Sequence, residues 1–125
     1  MSVVTGSDPA GSHRAARRTP RHVAFVLENE LIGDAIMHVP AYRAVRSALP
    51  EARITLLVRR ATAFTGPLSR IAPEFFDAVT VGAEQIADPG ALADWMAEAG
   101  ADLVFDFRAN ARALASWTAA GRSGV

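Results

Sequence analysis

Asp34 directly follows Gly33, and His38 comes four residues later. On a helix, that spacing puts two side chains at neighbouring positions on one face. An aspartate beside a histidine has the chemistry to take a proton from a substrate hydroxyl. Two readings of Asp34 stand. It is either a helix N-cap that bonds the first free amides, or a general base at the positive end of a helix dipole. Local sequence favours the cap. His38 reads either as Asp34's partner or, as for most lone histidines on an apolar stretch, as a packing residue. Gly33 carries no side chain that would keep a substrate or another backbone segment away.

Other polar residues cluster at comparable places. Glu28, Asn29 and Glu30 follow one apolar run; Arg59 and Arg60 follow a second; Asp106, Arg108 and Asn110 end a third. The arginines read as a clamp for phosphate or carboxylate, or each as a solvated loop residue. Asp106 also reads as a residue that bonds loop amides. The three histidines, at 13, 22 and 38, lack metal-ligand spacing, and there is no cysteine. A disulfide scaffold, a thiolate zinc site and a cysteine nucleophile are therefore excluded. All thirteen basic residues are arginine, so no lysine-based mechanism exists within the chain.

Regular elements must position these groups. Val23–Leu27 is a short apolar run of the buried-strand type. Residues 35–49 read as a helix with Met37, Ala41, Val45, Ala48 and Leu49 as its apolar stripe, stopped by Pro50. Pro40 inside it removes a backbone donor and predicts a kink or a late start. Arg53–Val58 is the second strand and Ala78–Val81 the third, with a short helix expected around Leu68–Ile71 after Gly66-Pro67. Asp88-Pro89 opens a helix with Leu92, Trp95, Met96 and Ala99 inward and Gly100 as its left-handed cap. Leu103–Phe107 is the fourth strand, and a last helix is expected from Ala109 to Ala120, with Leu114 and Trp117 inward and Gly121 ending it.

Strands alternating with helices predict an α/β fold: a Rossmann-like parallel sheet with helices on both faces and order 3-2-1-4. The winding reverses between the first and fourth strands, and ligands bind such sheets outside their carboxyl ends at that point. Every candidate above maps to that edge. No GxGxxG and no GxxxxGK[ST] is present, so neither a dinucleotide fingerprint nor a P-loop is available.

At 125 residues the chain has the size of one domain; 50% hydrophobic and 21% charged residues suit a packed core. No apolar run approaches the ~20 residues of a membrane span. The formal charge is zero, so nucleic acid is not an expected partner. Residues 1–21 hold four arginines and one aspartate and read as a disordered basic tail; a weak anchor to an anionic membrane surface is the other reading. Residues 22–125 hold nine arginines and twelve acids. The sequence stops four residues after Gly121, which reads as a truncated sheet whose fourth strand keeps an open edge.

The run LIGDAIMHVPAYRAVRSALPEARITLLV resembles the amino-terminal domain of glycosyltransferase family 9, the lipopolysaccharide heptosyltransferases. Gly33-Asp34, Pro40, Ala48-Leu49-Pro50 and the strand Arg53–Val58 carry the likeness. So does the Asp102-Leu103-Val104-Phe105-Asp106 pattern, and the resemblance covers residues 22–125. It implies the acceptor-side half of a GT-B architecture and an inverting, metal-independent sugar transfer. In such enzymes a nucleotide-sugar such as ADP-heptose binds a separate carboxy-terminal domain, and the aspartate of Gly-Asp deprotonates the acceptor hydroxyl, a role that maps onto Asp34. The resemblance implies no cofactor in this half. It also implies a cell-envelope glycan or glycolipid acceptor and a cytoplasmic protein at most peripheral to the inner membrane. Glu28 and Glu30 depart from the family pattern, and two carboxylates there predict repulsion of an anionic acceptor. The competing expectation is a non-catalytic Rossmann-like remnant that binds a protein partner or small ligand through its open edge.

Overall fold

A computed structural model describes residues 2–5, 19–88 and 90–108. The expected last helix at 109–120 and its Leu114, Trp117 and Gly121, together with Pro89, Asn110 and the middle of the basic tail, lie outside the described residues. The strands are β1 (Ser2–Thr5), β2 (His22–Leu27), β3 (Arg53–Val58), β4 (Ala78–Val81) and β5 (Leu103–Asp106). The α-helices are α1 (Ile32–Ala48) and α2 (Ala91–Ala99). Sheet order is β1-β5-β2-β3-β4. The four strands from β2 onward are mutually parallel, in the order and near the boundaries that hydrophobic patterning predicts.

β1 was not expected. It runs antiparallel to β5, with Val3 opposite Phe105 and Val4 opposite Val104. The edge of β5 that the sequence left open is thus paired, and the first residues of the basic segment form strand. A short Val-Val run in an otherwise polar, Gly/Pro-containing segment is a weak signal, because two apolar residues cannot define a period.

Period-two alternation along β2 splits the core between the sheet's two faces. Val23, Phe25 and Leu27 join Ile54, Leu56 and Val58 under α1, packed with Tyr42, Phe64, Phe75 and Phe76. Ala24 and Val26 join Leu57 and Val104 under α2, packed with Ile86, Leu92 and Met96. All six β2 residues are buried, as for a central strand covered on both faces.

Local chemistry sets the ends of α2. The Asp88 carboxylate accepts from the amides of Gly90 (2.9 Å) and Ala91 (3.3 Å), so it serves the helix start although the helix itself begins at Ala91. Gly100 at φ +70° closes it in the left-handed region, donating to the carbonyl of Met96. Residues 66–71 form turns rather than the expected short helix, between single 3-10 turns at Ala63–Thr65 and Ala72–Glu74.

The largest departure is in α1. It begins at Ile32 and runs through Pro40, so the late start does not occur. Its inward face is Ala35, His38, Val39, Tyr42, Val45 and Leu49; of the expected stripe Val45 and Leu49 pack inward, while Met37 and Ala48 are exposed. Met37 is 80% exposed, with Leu31, Ile32 and Ile36 also exposed around it. A polar group beneath the helix causes this rotation.

Candidate functional site

That group is Glu30. Beyond β2 and β3 the two segments pair again: the Glu30 amide donates to the Ala61 carbonyl (2.8 Å) and the Ala63 amide to the Glu30 carbonyl (2.9 Å). Held by its own backbone on both sides, Glu30 points into the α1 face of the core and is fully buried. A buried carboxylate needs donors, and three converge on it. His38 Nδ1 lies 2.6 Å from Oε2, the Tyr42 hydroxyl donates to Oε2, and Thr62 Oγ1 donates to Oε1 at 3.0 Å. His38 and Tyr42 are one helical turn apart, so both reach Glu30 only when α1 turns that face inward. The polar cluster therefore outranks Met37 in setting the helix rotation.

The Tyr42 phenol is pushed well above the ordinary tyrosine range, first by burial, then by the Glu30 charge and by its hydrogen bond to Glu30. Tyr42 also packs edge-on against Phe25 at 4.8 Å and Phe76 at 4.9 Å.

Asp34 lies in the first turn of α1 and is exposed. It is not the N-cap. Leu31 occupies that position, and no side chain caps the helix. Among the described residues no hydrogen bond or ion pair holds the Asp34 carboxylate. Its pairing with His38 is not formed; His38 bonds Glu30 instead. Gly33 has a negative φ, and a Cβ built on it would meet nothing within 4 Å, so the packing of the described residues does not require glycine.

The remaining sequence candidates divide. Glu28 sits between two cations, 3.8 Å from both Arg59 and Arg60. Asn29 is exposed beside them, and Arg60 is exposed as well. Arg108 turns back as a fork onto Asp106, with Nε to Oδ1 at 3.1 Å and Nη2 to Oδ2 at 3.0 Å, both side chains fully buried. It is therefore not a free cation at the edge. Asp106 also accepts from the Arg108 amide at 2.8 Å, the loop-amide role expected of it. Asp34, Gly33, Glu28, Asn29, Arg59 and Arg60 share the carboxyl edge, while Asn110 is outside the described residues.

Sequence reading named Glu30 only as a charge on the loop, and missed Tyr42 and Thr62 altogether. The available signal was the Ala35-His38-Val39-Tyr42 spacing, which is as regular as the apolar stripe but contains two polar residues. Among the described residues no three His, Asp or Glu side chains gather as a metal cluster, and no helix is long and apolar enough to cross a membrane. The chain is α/β and Rossmann-like, and no family model, curated protein or solved structure matches it.

Proposed function

We propose that this domain holds the acceptor for an inverting, metal-independent glycosyl transfer. A heptose-like sugar would move from a nucleotide-sugar, held by a separate donor-binding domain, to a cell-envelope glycan or glycolipid. Asp34 is the base that takes the acceptor hydroxyl's proton. The observation that carries this is the Asp34 carboxylate itself: exposed in the first turn of α1, not spent on capping, and unheld by any described side chain. A carboxylate with no structural task, at the edge where parallel sheets bind ligands, suits a reacting group.

Two further features support the reading. Leu31, Ile32, Ile36 and Met37 are 48% to 80% exposed around Asp34, which suits an acceptor with an apolar part, such as a glycolipid. The two loop carboxylates have partners within the chain, which lessens the repulsion they would offer an anionic acceptor. Glu30 is buried under three donors, and Glu28 lies between two guanidinium groups.

Titrating the isotope-labelled chain with methyl α-mannopyranoside and with micelles of a mannose-terminated glycolipid tests this. The expected result is amide shifts at residues 31–38 and 59–62, stronger for the glycolipid. Shifts confined to the amino edge of the sheet, or none with either probe, overturn the acceptor reading. A partner protein binding along an outer strand of the sheet, with no saccharide response, supports the non-catalytic alternative.

A further inference from the structure

One polar atom of the carboxyl edge is unused by this reading. A carboxylate only accepts, so the 2.6 Å contact to Glu30 places a proton on His38 Nδ1. A neutral ring with its proton on Nδ1 keeps a lone pair on Nε2. No described residue bonds Nε2, and the His38 side chain is 30% exposed. The ring is also packed in place, against Phe107 at 4.7 Å and edge-on to Tyr42 at 6.0 Å. Asp34 lies one turn earlier on the same helix. Residues so spaced have Cβ atoms about 5–6 Å apart, so a carboxylate and an imidazole nitrogen, both acceptors, adjoin at one place.

We infer that His38 is a specificity-determining residue of this edge. In the neutral ring with Nδ1–H held by Glu30, its Nε2 is the lone-pair nitrogen and accepts a hydrogen bond from the hydroxyl next to the one Asp34 engages, so the site selects saccharides with vicinal hydroxyls. The inference rests on the acceptor reading and adds a chemical requirement to it. Glu30 acts through His38 as a positioning residue: buried and held by Tyr42 and Thr62, it fixes both the tautomer and the ring orientation.

The test combines imidazole nitrogen spectra of the full chain with binding of methyl α-mannopyranoside and its monodeoxy derivatives. The expected spectrum shows His38 protonated at Nδ1 only, with its Nε2 resonance shifting when the mannoside binds. At least one monodeoxy derivative should bind about threefold to tenfold more weakly, the worth of one net hydrogen bond. In His38→Asn the amide still donates to Glu30 but no atom occupies the Nε2 position, and this discrimination should vanish. A proton on Nε2 in the free chain, or discrimination that survives His38→Asn, overturns the inference. If the variant fails to fold, the wild-type spectrum and discrimination decide. A mannoside that shifts Gly33 and Asp34 but leaves Nε2 unmoved sinks this inference alone; no response to it or to the glycolipid sinks the acceptor reading too.

Discussion

Each edge of the sheet holds a partly or fully buried histidine, and the two are committed differently. At the amino edge, His22 Nδ1 bonds the Ala99 carbonyl at 3.0 Å and Nε2 bonds Thr55 Oγ1 at 2.8 Å. Trp95 packs edge-on against its ring at 5.6 Å, and Asp102 accepts the amides of Arg21 and His22. Both ring nitrogens are used, and the ring ties β2 to β3 and to the end of α2. At the carboxyl edge, His38 spends one nitrogen on Glu30, has no partner for the other among the described residues, and stands one helical turn from the exposed Asp34. A histidine with both nitrogens satisfied inside the chain is structural; one with a single nitrogen fixed by a buried carboxylate is aimed outward.

The sharpest way to break this contrast is to remove Glu30. Glu30→Ala strips the acceptor from the Tyr42 and Thr62 hydroxyls and from His38. Deleting one partner of a buried charged cluster costs about 3–5 kcal/mol, read as a drop in denaturant midpoint. Glu30→Gln keeps an acceptor and should cost markedly less. Equal losses would mean that packing, not the carboxylate, holds α1 in its rotation.

At the amino edge, His22→Ala removes one buried and one partly buried hydrogen bond and takes the ring partner from Thr55, a cost of about 2–3 kcal/mol. His38→Asn keeps the donor to Glu30 and should cost less than about 1 kcal/mol. A reversed order would erase the difference between the two edges.

Tyr42 makes the carboxyl edge sensitive to alkali. Its folded-state pKa is raised, so the folded chain keeps the phenol neutral where the unfolded chain ionises it. Its contribution is fully present below the unfolded pKa of about 10 and is lost progressively as pH rises from there toward the folded value. Tyr42 is the single tyrosine, and there is no lysine or cysteine, so no other side chain of the unfolded chain titrates near pH 10, where the decline begins. Tyr42→Phe should cost about 1 kcal/mol at neutral pH through the lost hydrogen bond to Glu30 and should flatten the alkaline decline. A decline of the same size in the Phe variant would assign it elsewhere.

The smallest expected effect on stability is at Asp34. A first-turn carboxylate that caps nothing contributes about 0.3–1 kcal/mol through the helix dipole, so Asp34→Asn should barely move the denaturant midpoint.

What the sequence showed and what it hid follow one boundary. The parallel strands were legible because Val23–Leu27, Arg53–Val58 and Leu103–Phe107 are apolar runs whose burial depends on the run itself. α2 was legible because Leu92, Met96 and Gly100 each mark their own place, although Gly90 and not Asp88 is the N-cap. α1 was misread because its inward face is fixed by Glu30, which is distant in sequence from Thr62 and buried against the usual rule for a charged residue. Asp34 was placed at the right edge but in the wrong local role, since a Gly-Asp pair before a helix reads as a cap while the helix begins two residues earlier. Arg108 looked free because nothing local shows a fork closing on Asp106. Apart from Arg108, whose partner Asp106 is two residues away, the hidden residues answer to partners elsewhere in the chain.

Under the proposed function, the carboxyl edge does the chemistry and the amino edge only supports it. The direct test supplies a nucleotide-sugar-binding domain and acceptor to the wild-type chain, to Asp34→Asn and to His22→Ala, and measures turnover per folded molecule. The predicted result is a fall of about 10²–10⁴-fold for Asp34→Asn, the usual cost of losing a general base, with its melting lowered by at most a few degrees, while His22→Ala loses more stability but keeps turnover. An Asn variant that retains more than about a tenth of wild-type turnover, less than the smallest loss expected of a base, would contradict the account.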